Sequence, residues 1–287
     1  MDIREKIVDL IRDRGTQVPT LPIMVQKILD IAQDDNTSAK SLGEVVHKDQ
    51  AITNKILKLS NSAYFGLATK VDSIPRAIAL IGFNEVVGMA IGMNVFSQFE
   101  SDNKGLPLDM RQLWIHAIGS ATAARLIAQT VAPADENLIF LAGLMHDIGK
   151  VIFTIYFPDE YGPVIKNAQE HQVPLFKKEK ELLGLDHTVL AKALMQKWNF
   201  PETIWAPIRY HHSSGRCPDH NRRDALIIEL ADFICHASFV GNSGCTSVQM
   251  NENLLIELNL SVDQSYDFIA AVKLQQPEIE AFFNAAI

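Results

Sequence analysis

The chain has 287 residues, and 26 Lys+Arg against 34 Asp+Glu leave it a formal net charge of -8. Hydrophobic residues make up 47%, which excludes a disordered or low-complexity chain. The acidic balance excludes non-specific nucleic-acid binding through a basic face, so no nucleic-acid partner is expected.

Helical periodicity dominates. The first 14 residues read as one short helix, and Leu21, Val25, Ile28, Leu29 and Ala32 then recur at spacings of three and four. Ser38 is placed to cap a helix over 39–47, and Ile52, Ile56, Leu57 and Leu59 mark another over 51–60. Ser73 opens SIPRAIALIG, with Pro75 in the first turn and Gly82 at its end. The uncharged run at 86–99 has 14 residues, short of the roughly 18–20 that span a bilayer. It reads as a buried core helix. The polar segment SDNKGLPLD at 101–109 reads as a linker. Beyond it, helices are expected over 110–131, 136–147, 158–172, 175–183, 187–198, 201–210, 223–240, 263–273 and 277–286. With no alternating strand pattern and no internal repeat, the fold class is all-α. The expected organisation is an N-terminal lobe over 1–105, a second lobe over 106–240 and a terminal loop and helix pair over 241–287.

Cys217, Cys235 and Cys245 form no CxxC pair, so three reduced thiols are expected rather than a disulfide framework. The start MDIREKIVDLIRDRG is charged throughout and lacks a signal-peptide pattern. A cytoplasmic protein without a membrane partner is the expectation.

The candidate chemistry lies in the order His116, His146–Asp147, His187, His211–His212, Asp232. Imidazole and carboxylate are ligands for first-row divalent metals, and a mixed N/O set suits Fe, Mn, Zn or Ni. Each residue also has a plain structural reading. His116 sits on an apolar helix face as a core histidine would. His187 follows Asp186, a natural N-cap, and reads equally as an exposed first-turn residue. His211 and His212 close a helix whose dipole favours positive charge. His146 and Asp147 are adjacent, and adjacent residues on an ideal helix point about 100° apart. One metal takes both only near a helix end, for which Gly149 offers a place. Asp232 lies in the apolar stretch ALIIELADFICHA and needs a cation or hydrogen bonds if it faces inward. Arg209, Arg216, Arg222 and Arg223 cluster in sequence near the loop after the His pair. Arg209 and Arg216 are candidates for attracting an anionic substrate.

The ordered segments resemble the HDOD domains, bacterial signalling modules related to the HD-type metal-dependent phosphohydrolases. The likeness runs through VPTLPIMVQKILDIA, LSNSAYFG, SIPRAIALIGFNEV, LWIHAIGSATAARLIA, FLAGLMHDIGK, LLGLDHTVLAKALMQKWNFPETIWAPIRYHH and ELADFI, roughly residues 15–240. It implies two packed helical lobes, the second an HD-type helical domain. It implies a metal held by His116, His146, Asp147 and Asp232. His187, His211 and His212 stand where dinuclear HD-GYP phosphodiesterases carry further ligands, and Lys150 stands where those enzymes place a Lys beside the metals. One or two divalent ions are therefore expected, with Asp147 and Lys150 as the catalytic candidates. Two departures count against cyclic dinucleotide hydrolysis and a second metal. No Gly-Tyr-Pro follows His211–His212, and Gln112 stands where the dinuclear relatives have a carboxylate. The resemblance implies a signalling or regulatory protein acting through protein partners or a small nucleotide or phosphate ligand. The alternative is an active phosphohydrolase on a nucleotide or phosphate ester.

Overall fold

A computed structural model of the chain describes residues 3–12, 20–32, 34, 38–99, 105–131 and 138–286. Five short helices come first: α1 (Ile3–Arg12), α2 (Ile23–Ala32), α3 (Ala39–Val46), α4 (Gln50–Ser60) and α5 (Ile74–Ile81). Their starts follow the sequence. The Ser38 side chain accepts from Ser41 N–H at 3.2 Å, and Asp49 caps α4 by accepting from Ala51 and Ile52. Helix α6 (Phe83–Gln98) is buried on nearly every side, which explains its lack of an amphipathic period. It packs on α2, α4 and α5, and on its other flank on α8.

The second part is built on α7 (Met110–Val131), which lies against α8 (Ile139–Met145) and α14 (Asp219–Ala237). Between them the chain runs through α9 (Ile148–Tyr156), α10 (Pro158–His171), α11 (Leu175–Leu182), α12 (His187–Lys197) and α13 (Glu202–Tyr210). The expected helix over 136–147 falls partly outside the described residues, and α9 is a helix that the sequence does not predict. The helix α14 starts four residues before the expected 223. Among the described residues there is no strand. The run Ile139–Tyr156 has the length and hydropathy of a membrane span, but 89% of it is buried inside the molecule.

The terminal segment adds α15 (Asn253–Glu257), α16 (Val262–Leu274) and α17 (Gln276–Ala286). The sequence reading had 253–257 within a loop. Ser261 and Gln264 form a reciprocal capping box that starts α16. Helix α16 packs on α7 and α14, while α17 reaches both α7 and α4. Its Phe282 lies 5.0 Å from the Tyr64 ring, and the Tyr64 hydroxyl is 2.8 Å from Thr122 Oγ1 on α7. The NSAYF segment is thus a structural seam. One hydrophobic cluster runs without a break from Ile7 to Ala286, across both expected boundaries.

Candidate metal centre

The helix through LIFLAGLM stops at Met145, and a new one begins at Ile148. The break leaves Asp147 at φ -98, ψ 12, with its carbonyl accepting from Lys150 N–H at 2.8 Å. This distortion turns two adjacent side chains toward one point. Gly149 does not end the helix, as the sequence reading had it. It lies inside α9, where a Cβ would run into the His187 carbonyl and stand 3.0 Å from His187 Cα. Glycine is needed there so that α9 and α12 can approach.

His116 and Asp232 face each other from α7 and α14, with Nε2 3.0 Å from Oδ1. His146 Nε2 lies 3.4 Å from Asp147 Oδ2 and 3.5 Å from Asp232 Oδ1. On the other side of Asp147, His187 Nε2 is 3.3 Å and His211 Nε2 4.0 Å from Oδ1. The Asp147 carboxylate thus turns one oxygen to each group of histidines. His212, half-buried, completes the second group and stacks on Phe176 at 4.3 Å. His116, His146, His187 and His211 are all fully buried, so the core-versus-surface alternatives for His187 resolve inward.

Hydrogen bonds to the far ring nitrogens fix which nitrogen faces the centre. Nδ1–H of His146 donates to Gly143 O and that of His211 to Ile208 O, each at 2.7 Å. His187 Nδ1–H donates to Glu179 Oε2 at 2.6 Å. Glu179 also accepts from His187 N–H at 2.8 Å and from the Tyr161 hydroxyl at 2.7 Å, and its exposure is 0%. Such an outer carboxylate orients a ligand histidine and raises its basicity. Replacing it by Glu179→Gln is expected to weaken cation binding about 10-fold with little change in melting temperature. Competition against a chelator checks this.

The charges are arranged for a cation. Burial opposes ionisation of Asp147, but His146 and Lys150 outweigh it and hold the carboxyl well below its usual range. Burial works against Asp232 too, and His236, His116 and His146 overcome it. For His146, burial is overcome by Asp147 and Asp232, which raise its pKa to about 10. Burial, with His146 and His187 nearby, lowers His211 to about 3. Burial likewise keeps His212 well below its ordinary value. Lys150 is buried, and the carboxylates Asp147 and Asp232 overcome that burial and raise its pKa. Its Nζ donates to Asp147 Oδ2 at 2.8 Å and to Ser243 Oγ at 3.2 Å.

The donor set fits a metal on its own geometry. His146 Nε2 and Asp147 Oδ1 are buried with no hydrogen-bond partner among the described residues. Triads of these side chains bring their ligand atoms within 4.8 Å of one another. Buried polar atoms are seldom left unpaired, and a cation is the partner that imidazole and carboxylate lone pairs share.

A cleft of about 200 Å³ opens onto Lys150, His187, His212, Asp232 and His236, with Phe176, Phe233 and Leu254 on its walls. Arg209 and Arg216 are not among its lining residues. Arg209 donates to Thr188 Oγ1 at 2.8 Å, and Arg216 is exposed on the turn Ser214–Arg216. Arg222 pairs outward with Glu257 at 2.7 Å. Lys150 and Lys177 supply the positive charge at the cleft instead. Sequence reasoning missed Glu179, because LFKKEKEL reads as a solvated helix. It also left His236 without a role, although it stands one helical turn from Asp232.

An all-α protein with a buried His/Asp cluster between packed helices is the class these observations define. The sequence profile of the HDOD domain matches residues 18–214, and the chain belongs to that family. An uncharacterized protein of Treponema pallidum (strain Nichols) is 25% identical over 217 residues, covering 75% of this chain. The chain spans about two fifths of that relative's length, 41%. Among solved structures, an HDOD domain protein of unknown function from Geobacter sulfurreducens superposes with a TM-score of 0.80 at 23% identity, covering 99% of this chain and 97% of the other. A candidate signal transduction protein from Marinobacter aquaeolei VT8 gives 0.80 at 21% identity, over 99% of this chain and 65% of that one.

Proposed function

We propose that this HDOD protein is a metal-binding signalling protein whose centre hydrolyses a small phosphate ester. The observation that carries the reading is the Asp147 carboxylate, with one oxygen toward His116 and His146 and the other toward His187 and His211. His116, His146, Asp147 and Asp232 would hold one divalent cation of the Fe, Mn, Zn or Ni kind. His187, His211, His212 and Asp147 would hold a second, with Gln112 left out of the ligand set. When bound, such ions supply Lewis acidity toward phosphoryl oxygens and lower the pKa of nearby water.

The chain's own residues supply the rest. Lys150 keeps its proton because two carboxylates surround it, and it offers an ammonium at the cleft floor to offset phosphoryl charge. Glu179 and the two backbone carbonyls hold the imidazoles with their lone pairs toward the centre. Phe176, Phe233 and Leu254 give the cleft apolar walls beside its titratable groups.

The second reading is a module that senses a phosphorylated ligand or docks on signalling partners without turnover. The cleft, of about 200 Å³, favours a small nucleotide over a polymer in either case. Metal analysis of purified protein is expected to give stoichiometric first-row metal, reduced in His116→Ala and Asp232→Asn. A panel of nucleotides and phosphate esters should then yield phosphate release from the wild type and none from those variants. Absence of bound metal overturns the proposal. Bound metal without turnover on any ester selects the sensing module.

A further inference from the structure

We infer that His236 is a ligand of the candidate metal centre, completing with His116 and Asp232 a set for a first-row divalent cation. The inference rests on the metal-binding reading above and extends it to a residue beyond the span matched to the family, 18–214.

His236 lies on α14 four residues after Asp232, so both side chains project from one face. Its Nε2 is 3.4 Å from Asp232 Oδ1, the same oxygen that His116 Nε2 approaches at 3.0 Å. The His116 and His236 rings stand 4.5 Å apart, and the ligand atoms of the three residues lie within 4.8 Å of one another. Ser243, 0% exposed, has its Oγ 3.1 Å from the same Nε2, a contact that a cation bound at Nε2 would replace, leaving Ser243 to Lys150 Nζ at 3.2 Å.

Ser243 is in turn placed by the loop after α14. Asn242 N–H donates to Gln112 O at 3.0 Å, fastening the loop to α7 one turn before His116. Gly241 has φ +66, and a Cβ there would stand 2.7 Å from His116 Cα. Only glycine lets the loop lie so close to the histidine helix. The result is a ring of polar contacts, Asp147–Lys150–Ser243–His236–Asp232, that joins both carboxylates of the centre.

With His236, the first group offers three imidazoles and two carboxylates. Nitrogen-rich sets of this kind suit Mn, Fe, Co, Ni or Zn, whereas Mg and Ca prefer oxygen. A purely structural His236 would serve only to hold Ser243.

The test uses the full chain loaded with Co(II), which reports its coordination through visible absorption. Affinity is read by chelator competition, with Mg(II) as the control ion. His236→Ala and His236→Phe are each expected to lower Co(II) affinity about 10–100-fold and shift the visible bands, with Mg(II) affinity unchanged. Ser243→Ala is expected to keep the wild-type bands. Circular dichroism confirms folding, and the bulkier Phe variant serves if the Ala variant unfolds. Wild-type affinity and bands in the folded His236 variants would overturn the inference while leaving the metal reading intact. So would a Ser243→Ala change that reproduces the full loss. A wild type that binds no Co(II) would instead overturn the metal reading and this inference together.

Discussion

Asp147→Ala is expected to empty both halves of the centre at once. Its two oxygens address different histidine groups, so no other single change removes a ligand from each. Metal content should fall to background rather than to half, and turnover should vanish with it. The same change leaves the Lys150 ammonium buried without its 2.8 Å partner. Breaking a buried ion pair from one side costs about 3–5 kcal/mol. Denaturant melts in the presence of a chelator should show that loss. The double variant Asp147→Ala/Lys150→Met separates the two effects. It removes the orphaned charge as well, so stability should recover most of the way while metal remains absent. Retention of one ion per chain in Asp147→Ala would show that the carboxylate is not shared.

Gly149→Ala is the second large effect. The added methyl meets His187 backbone atoms, its carbonyl carbon at 2.7 Å among them, and backbone cannot swing aside as a flexible side chain can. Helices α9 and α12 must separate, at a cost of about 3 kcal/mol. The separation also draws His187 away from Asp147, so the second group should lose its cation first. Gly162→Ala on α10 is the control, because a Cβ there meets nothing within 4 Å. That variant should be neutral or stabilised by up to about 1 kcal/mol. A Gly149→Ala protein as stable as Gly162→Ala would refute the close approach.

Much of the centre was legible from residue order. His116, His146, Asp147, His187, His211, His212 and Asp232 are brought together from α7, α14 and the ends of α8, α12 and α13. The helix starts at Ser38 and Asp186 were legible because a capping side chain is a local signal; Asp186 accepts from Thr188 N–H at 3.1 Å. Helix α9 was not legible. Residues 148–154 of IGKVIFTIY are all buried, Lys150 and Thr154 included, so its polar residues do not mark a solvent-facing side. Glu179 was hidden for the opposite reason. It shares a helix with exposed lysines, and the Tyr161 hydroxyl from α10 together with His187 at the start of α12 turns it into a core group. The arginines misled because proximity in sequence to a histidine pair does not place a side chain in the cleft. Arg209 is committed to Thr188 instead. The loop after α14 could not be read at all, since its role depends on a carbonyl 130 residues earlier, that of Gln112 accepting from Asn242.

The bonds from His146 to Gly143 O and from His211 to Ile208 O have a meaning apart from chemistry. Those carbonyls belong to the last turns of α8 and α13, where no following amide remains to satisfy them. The imidazoles are therefore C-terminal caps as well as prospective ligands. A lineage that gave up metal would still lose helix stability by discarding them. Persistence of these histidines in a relative is then a record of folding as much as of activity, whereas His116 and Asp232 cap nothing and give the sharper indication of a working centre.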